Sequence, residues 1–205
     1  MNYNTVIVAD GTFPVHEIPL GYIRNAARII CCDGSTRNLI EFGLEPDAIV
    51  GDMDSLDGEL YSKYADRIHA DDDQETNDLT KAVKWCLKMG FRDIAIVGAT
   101  GKREDHTIGN ISLLAEYSRE AEVIMVTDSG IFKPYAQSSV IHSFPGQQVS
   151  IFSINPIAQI TSEGLKYPLA GKRLENWWQG TLNESIGDSF KLHFEGGTLI
   201  IFLKF

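Results

Sequence analysis

Six short β-rich runs, each ending at or just before an acidic residue or a glycine, recur along the first 130 or so residues of this chain. Thr5-Val6-Ile7-Val8-Ala9 ends at Asp10-Gly11, and Arg28 to Cys32 ends at Asp33-Gly34. Asp47 to Val50 runs into Gly51-Asp52-Met53-Asp54, and Asp66 to His69 runs into Asp71-Asp72-Asp73. Asp93 to Val97 stops at Gly98, and Glu122 to Val126 stops at Thr127-Asp128. Helical patterns fill several of the gaps. Thr36 to Phe42 is stopped by Gly43. Asn77 to Met89 carries Leu79, Ala82, Val83, Cys86 and Leu87 at helical spacing and ends at Gly90. His106 to Tyr117 carries Ile108, Ile111, Leu114 and Ala115 in the same way. Strands separated by helices predict a mainly parallel sheet covered on both faces.

Near residue 135 the helical periodicity fades. Ser139 to Phe144 and Gln148 to Ile154 flank Pro145-Gly146, and Phe190, Leu192 and Phe194 alternate with Lys191 and His193. Glu195-Gly196-Gly197 then turns the chain into Thr198 to Phe202, a hairpin signal. The expected architecture is an α/β domain over 1–135 and a small all-β sandwich over 136–205.

The acid in the chain is what needs explaining. Asp and Glu number 28 against 18 Lys and Arg, a net charge of −10. That balance excludes nucleic acid as an expected partner, since phosphodiesters need a basic face. In open α/β sheets ligands bind beyond the carboxyl ends of the strands. If the strands are parallel, Asp10, Asp33, Asp52, Asp54, the Asp71–Asp78 region and the Gly98–Asp105 loop converge on one edge. Such a crowd of carboxylates repels phosphate unless a divalent cation stands between them.

Asp52 and Asp54 are two apart, so in extended chain they point the same way. A pair like this is equally a solvated loop or a site for Mg²⁺, which takes one or two carboxylates and completes its shell with water and phosphate. The run from Asp71 to Lys81 leads into a helix that Thr76 or Asn77 can cap, and Asp78 in its first turn is favoured by the helix dipole alone. Asp78 could equally complete a three-carboxylate Mg²⁺ site, with Lys81 one turn on to meet a phosphate. Gly98 to His106 is glycine-rich and basic at Lys102 and Arg103, which suits phosphate, but its spacing is not that of a Walker A loop. Asp105 is also readable as a helix cap, and His106 as a structural hydrogen-bonder.

Cys31, Cys32 and Cys86 are an odd count in apolar stretches and read as reduced, buried thiols. No apolar run is long enough to span a bilayer, and Met1 to Asn4 has no basic leader signature, so the expected location is the cytoplasm.

Taken in order, these segments resemble the thiamine pyrophosphokinase family. The resemblance runs through Cys32-Asp33-Gly34-Ser35, Pro46-Asp47, Gly51-Asp52-Met53-Asp54-Ser55, Asp73-Gln74-Glu75 to Asp78 and Lys81, and Gly98 to His106. It continues in Gly164 to Leu169 and Gly180 to Glu184. It implies transfer of a diphosphoryl unit from ATP to the hydroxyl of thiamine, giving thiamine diphosphate and AMP. It also implies a homodimer with active sites at the interface. Carried over by position, Asp52, Asp54 and Asp78 would hold Mg²⁺. Asp33, Lys81, Arg103, Asp105 and His106 would serve ATP, and Gln74, Asn77, Tyr167 and Asn183 would serve thiamine. The sequence departs from the family pattern at Ser35 and Lys102, where Gly is usual, at Asn77 for Thr, Tyr167 for Trp and Leu182 for Ser. Two rivals share part of the machinery: a pyrophosphokinase for another alcohol such as a hydroxymethylpterin, and a Mg²⁺-dependent phosphohydrolase. A non-catalytic nucleotide- or thiamine-binding module is disfavoured, since binding alone needs no such carboxylate cluster.

Overall fold

The computed structural model describes residues 3–156 and 158–205, so the first two residues of the expected N-terminal domain lie outside the described residues. The chain divides into two compact units: 1–111 with 120–128, and 112–119 with 129–205.

In the first unit six strands pair in parallel: β1 (Thr5–Val8), β2 (Arg28–Cys32), β3 (Ala48–Gly51), β4 (Ile68–Ala70), β5 (Asp93–Val97) and β6 (Glu122–Val126). Their spatial order is β6-β5-β1-β2-β3-β4. The order reverses direction at β1, a topological switch point whose carboxyl side is where ligands of such sheets bind. β1, β3 and most of β2, β5 and β6 are wholly buried, as expected of parallel strands covered on both faces.

The connecting helices are α1 (Glu17–Arg24), α2 (Thr36–Glu41), α3 (Gly58–Lys63), α4 (Asp78–Lys88) and α5 (Glu104–Tyr117). The three expected helices are α2, α4 and α5. α4 packs on β1, β2 and β3. It buries Leu79, Ala82, Val83 and Cys86, of which each large aliphatic contributes about 1.5–3 kcal/mol. On α5 the expected stripe holds only in part: Leu114 and Ala115 are buried, whereas Ile108 is 57% exposed. α1 is amphipathic, burying Pro19, Leu20 and Ile23 on one face, although Pro19 and Gly21 are poor helix formers. Pro19 is tolerated there because first-turn N–H groups have no intrahelical partner. The imidazole of His16 caps this helix, accepting from the Ile18 N–H at 3.2 Å.

The second unit is two antiparallel sheets. One runs in the order β12 (Asn183–Glu184), β9 (Gln148–Ser153), β14 (Leu199–Lys204), β7 (Gly130–Tyr135). The other runs β11 (Lys172–Arg173), β10 (Gln159–Glu163), β13 (Ser189–His193), β8 (Ser139–His142). Ile141, Val149, Ile151, Ile160, Phe190, Leu192, Leu199 and Ile201 form their shared core. The unit starts at Ser129 rather than at 136 because β7 pairs along its whole length with β14. Segment 112–119 of α5 also belongs to it, a membership that strand periodicity cannot reveal.

The three cysteines are buried and free, and burial pushes the Cys31 thiol up to about 12. Among the described residues no helix is long and apolar enough to cross a membrane.

Candidate active site

The loops after β1, β2, β3 and β5 meet at the carboxyl edge of the parallel sheet. The loop after β1 is stitched to the loop after β5 by Gly11 N–H to Gly98 O at 2.6 Å and Thr12 N–H to Thr100 O at 2.8 Å. Gly98 (φ 65°) and Gly101 (φ 100°) adopt left-handed backbone. A Cβ on Gly98 would sit 2.9 Å from Ala9 O, and one on Gly101 would strike the Thr12 hydroxyl. The glycines of this loop are thus needed first for the approach of two loops, rather than for the approach of a phosphate.

An open cavity of about 310 Å³ lies here. Asp10, Ser55, Asn77, Asp78, Thr100, Lys102, Arg103, His106 and Asn110 are among its lining residues. Of the residues singled out in the sequence, Asn77, Asp78, Arg103 and His106 therefore share one cavity.

Asp33, Asp52 and Asp54 lie beside it. Each offers a carboxylate oxygen, and the three lie within 4.8 Å of one another. An all-oxygen set like this suits a hard divalent cation. Asp33 is 2% exposed. It accepts from Gly34 N–H at 2.8 Å and from Ser55 N–H at 3.4 Å. Burial pushes its carboxyl up despite the Gly34 N–H, and the charges of Asp78 and Asp52 add to the rise. It is a buried carboxylate short of positive charge, which is the condition a cation relieves. A Cβ on Gly51 would sit 2.9 Å from Asp33 Cγ, so the glycine before Asp52 makes room for Asp33.

Asp52 and Asp54 do converge, but not as alternate residues of an extended strand. Met53 between them has φ 68°, a genuine outlier for a bulky side chain and a feature that clusters at functional sites. The turn lets Asp52 Oδ1 accept from Asp54 N–H at 3.2 Å. That bond is the first cause holding Asp52 below the ordinary carboxylate range, and Lys81 assists against partial burial. Ser55 Oγ donates to Asp54 Oδ1 at 2.9 Å.

The third carboxylate of the cluster is Asp33, where the sequence reading grouped Asp78. Asp78 instead accepts from Lys81 Nζ at 3.1 Å, and the same ammonium lies 3.7 Å from Asp52. The Lys81 side chain is 2% exposed. Burial pulls its pKa down, but the bond to Asp78 and the charges of Asp78, Asp52 and Asp71 outweigh this, and the net shift is upward. Asp78 and Lys81 are one turn apart on α4, so helical geometry alone makes the pair.

Asn77 caps α4, its Oδ1 accepting from Thr80 N–H at 2.9 Å. Its Nδ2 donates to Asn110 Oδ1 at 3.1 Å, and Asn110 Nδ2 donates to Ala99 O at 2.9 Å. Asn110 thus ties the start of α4 to the glycine loop. Sequence reading passed over it, although it lies one helical turn beyond His106. Arg103 forks onto Asp105, Nε to Oδ1 at 3.1 Å and Nη2 to Oδ2 at 2.5 Å. That fork, with the His106 N–H, depresses the Asp105 carboxyl to about 2. Gln74 sits on an exposed turn, donating to Asp72 O at 3.3 Å.

Tyr167 and Asn183 belong to the second unit. Asn183 is buried, and its carboxamide brackets Tyr167, accepting from its N–H at 3.1 Å and donating to its carbonyl at 2.7 Å. The Tyr167 ring is left 60% exposed. Leu182, beside Asn183, has φ 60° and is also exposed. Trp177 packs edge-on against Phe152 at 5.6 Å, whereas Trp178 is exposed.

The chain matches two family models. One, described as the catalytic domain of thiamin pyrophosphokinase, covers residues 20–141, and the other, its substrate-binding domain, covers residues 130–202. Thiamine pyrophosphokinase of Bacillus subtilis is 30% identical over 181 residues, 80% of each chain. Thiamin pyrophosphokinase 1 of Caenorhabditis elegans is 28% identical over 162 residues, and thiamine pyrophosphokinase 1 of rice is 34% identical over 140. The chain spans 66% and 53% of the lengths of these last two relatives. Among solved structures, thiamin pyrophosphokinase of Geobacillus thermodenitrificans superposes with a TM-score of 0.80 at 24% identity, covering 98% of this chain and 97% of that one, a likeness of fold. With a catalytic-domain model spanning more than half of its residues, the chain belongs to the thiamin pyrophosphokinase family.

Proposed function

We propose that this chain transfers the diphosphate of ATP to the hydroxyl of thiamine. The hydroxyl oxygen attacks the β-phosphorus, the bond from that phosphorus to the α–β bridging oxygen breaks, AMP leaves, and the hydroxyl proton is released. The observation that carries this reading is the convergence of buried Asp33 with the more open Asp52 and Asp54 beside a cavity lined by Arg103 and His106, in a chain of this family. Transfer of this kind depends mostly on positioning and charge neutralisation. Asp33, Asp52 and Asp54 would hold Mg²⁺, which when bound neutralises phosphate charge and polarises the transferred group. Arg103 and His106 serve the nucleotide, with Asp105 orienting Arg103. Lys81 offsets the charge of Asp78 and Asp52 at the cavity edge. Gln74, Asn77, Tyr167 and Asn183 are assigned to thiamine, in a homodimer with active sites at its interface.

The test omits ATP, thiamine and Mg²⁺ in turn and separates the products. Thiamine-dependent AMP with an equal amount of thiamine diphosphate is expected. ADP would mean transfer of the γ-phosphate, and phosphate release without thiamine would mean a phosphohydrolase.

A further inference from the structure

Both permanent cations that line the cavity are already paired with a carboxylate of the chain. Arg103 forks onto Asp105 two residues away. Lys102 reaches across from the glycine loop to Asp10 after β1, Nζ to Oδ1 at 2.7 Å, with side chains 53% and 42% exposed. We propose that Lys102 is a phosphate-binding residue of this site, and that Asp10 holds its ammonium until the polyphosphate of a nucleotide displaces the carboxylate. The inference rests on the nucleotide reading above.

The pair is not needed to join its two loops. The backbone bonds from Gly11 and Thr12 to Gly98 and Thr100 do that, and the loops already lie so close at Gly98 and Gly101 that a Cβ there would strike Ala9 O or the Thr12 hydroxyl. An ion pair this exposed adds little stability. Its two ends also differ in freedom. Asp10 rests against the neighbouring loop, since a Cβ on Gly34 would come within 2.7 Å of its Cγ. Lys102 is on a long, half-exposed stem and carries three donors that can turn to a phosphate without moving the backbone. Asp10 competes with the phosphate for that one ammonium, so it opposes nucleotide binding through Lys102 while Lys102 favours it. A merely structural pair would make the two residues act in the same direction.

The experiment measures affinity for ATP with Mg²⁺ by calorimetry on the full chain and on Asp10→Asn, Lys102→Ala and the double variant. Lys102→Ala is expected to weaken binding about 10-fold, the scale of one charge-assisted hydrogen bond. Asp10→Asn is expected to tighten binding about 2- to 5-fold, the scale of an exposed ion pair. In the Lys102→Ala background Asp10→Asn is expected to lose most of that gain, because the ammonium it would free is gone. Weaker binding in Asp10→Asn, unchanged binding in Lys102→Ala, or a gain that survives undiminished without Lys102 overturns the inference. If the unaltered chain binds ATP but forms no AMP, the transfer reading falls and this test still stands; if it binds no ATP, both fall.

Discussion

Two lysine–aspartate pairs border the site, Lys102–Asp10 in the cavity wall and Lys81 behind it, reaching the cavity only through Asp78, and their lengths misrepresent their weights. Lys102 and Asp10 are closer, at 2.7 Å against 3.1 Å for Lys81 and Asp78. Yet the Lys102 side chain is half-exposed, and the Lys81 side chain is sealed among carboxylates. In water such an attraction is screened and the ions remain solvated; in the interior an unpartnered charge has no such refuge. The acidic wall is therefore an interdependent charge cluster around a buried ammonium, while the wall built on the glycine loop is a set of exposed pairs.

The sharpest way to break this contrast lies in the acidic wall. Asp54→Asn is expected to fold normally by circular dichroism and to lose about 10²-fold or more in turnover, the scale of removing a preorganised electrostatic group. EDTA should abolish activity, with Mg²⁺ restoring it; turnover that survives both treatments ends the metal assignment. Next in size, Lys81→Ala leaves Asp78 and Asp52 facing each other without a counter-charge. Urea unfolding should show a loss of about 2 kcal/mol or more, below the figure for a fully buried pair because both carboxylates retain some solvent. A smaller effect is expected for Asn110→Ala, which unties α4 from the glycine loop and should cost about 1 kcal/mol, the worth of an ordinary hydrogen bond. If it proves as damaging as Lys81→Ala, the two walls are not independent.

The least costly change falls on the exposed fork. Arg103→Ala should leave the melting temperature within error, while the Asp105 carboxyl, followed by NMR, should climb from about 2 towards its ordinary value. The sign is fixed by the depressed pKa. Whatever stability the fork adds is present above the ordinary aspartate range of about 4, and is lost as pH falls through about 2. An Asp105 that titrates normally in the unaltered protein would show the fork to be open in solution.

Much of this was legible from the chain. The six parallel strands, α2, α4, α5 and the β-rich second unit all carry local signals, and the convergence of Asp10, Asp33, Asp52 and Asp54 follows from strand direction. α1 is amphipathic but carries Pro19 and Gly21, which read as breakers, and α3 is six residues long with no buried residue. β7 lies before the boundary that periodicity suggests near 135 and clusters with the second unit through its partner β14, at the far end of the chain.

The sequence by itself determined which residue types stand at the strand ends, because side-chain direction repeats locally every two residues in a strand and every 3.6 in a helix. Only the tertiary structure decided how those residues are shared out. Whether a carboxylate joins the oxygen cluster or pairs with a lysine depends on distances across different loops and on the water left around them. Asp33 reaches the cluster because Gly51 leaves it space, and Asp78, at the start of α4, meets Lys81 one turn on, an ammonium that also faces Asp52. The same holds for the glycines of the 98–101 loop, whose spacing suggests phosphate and whose first task is to let another loop pass close by.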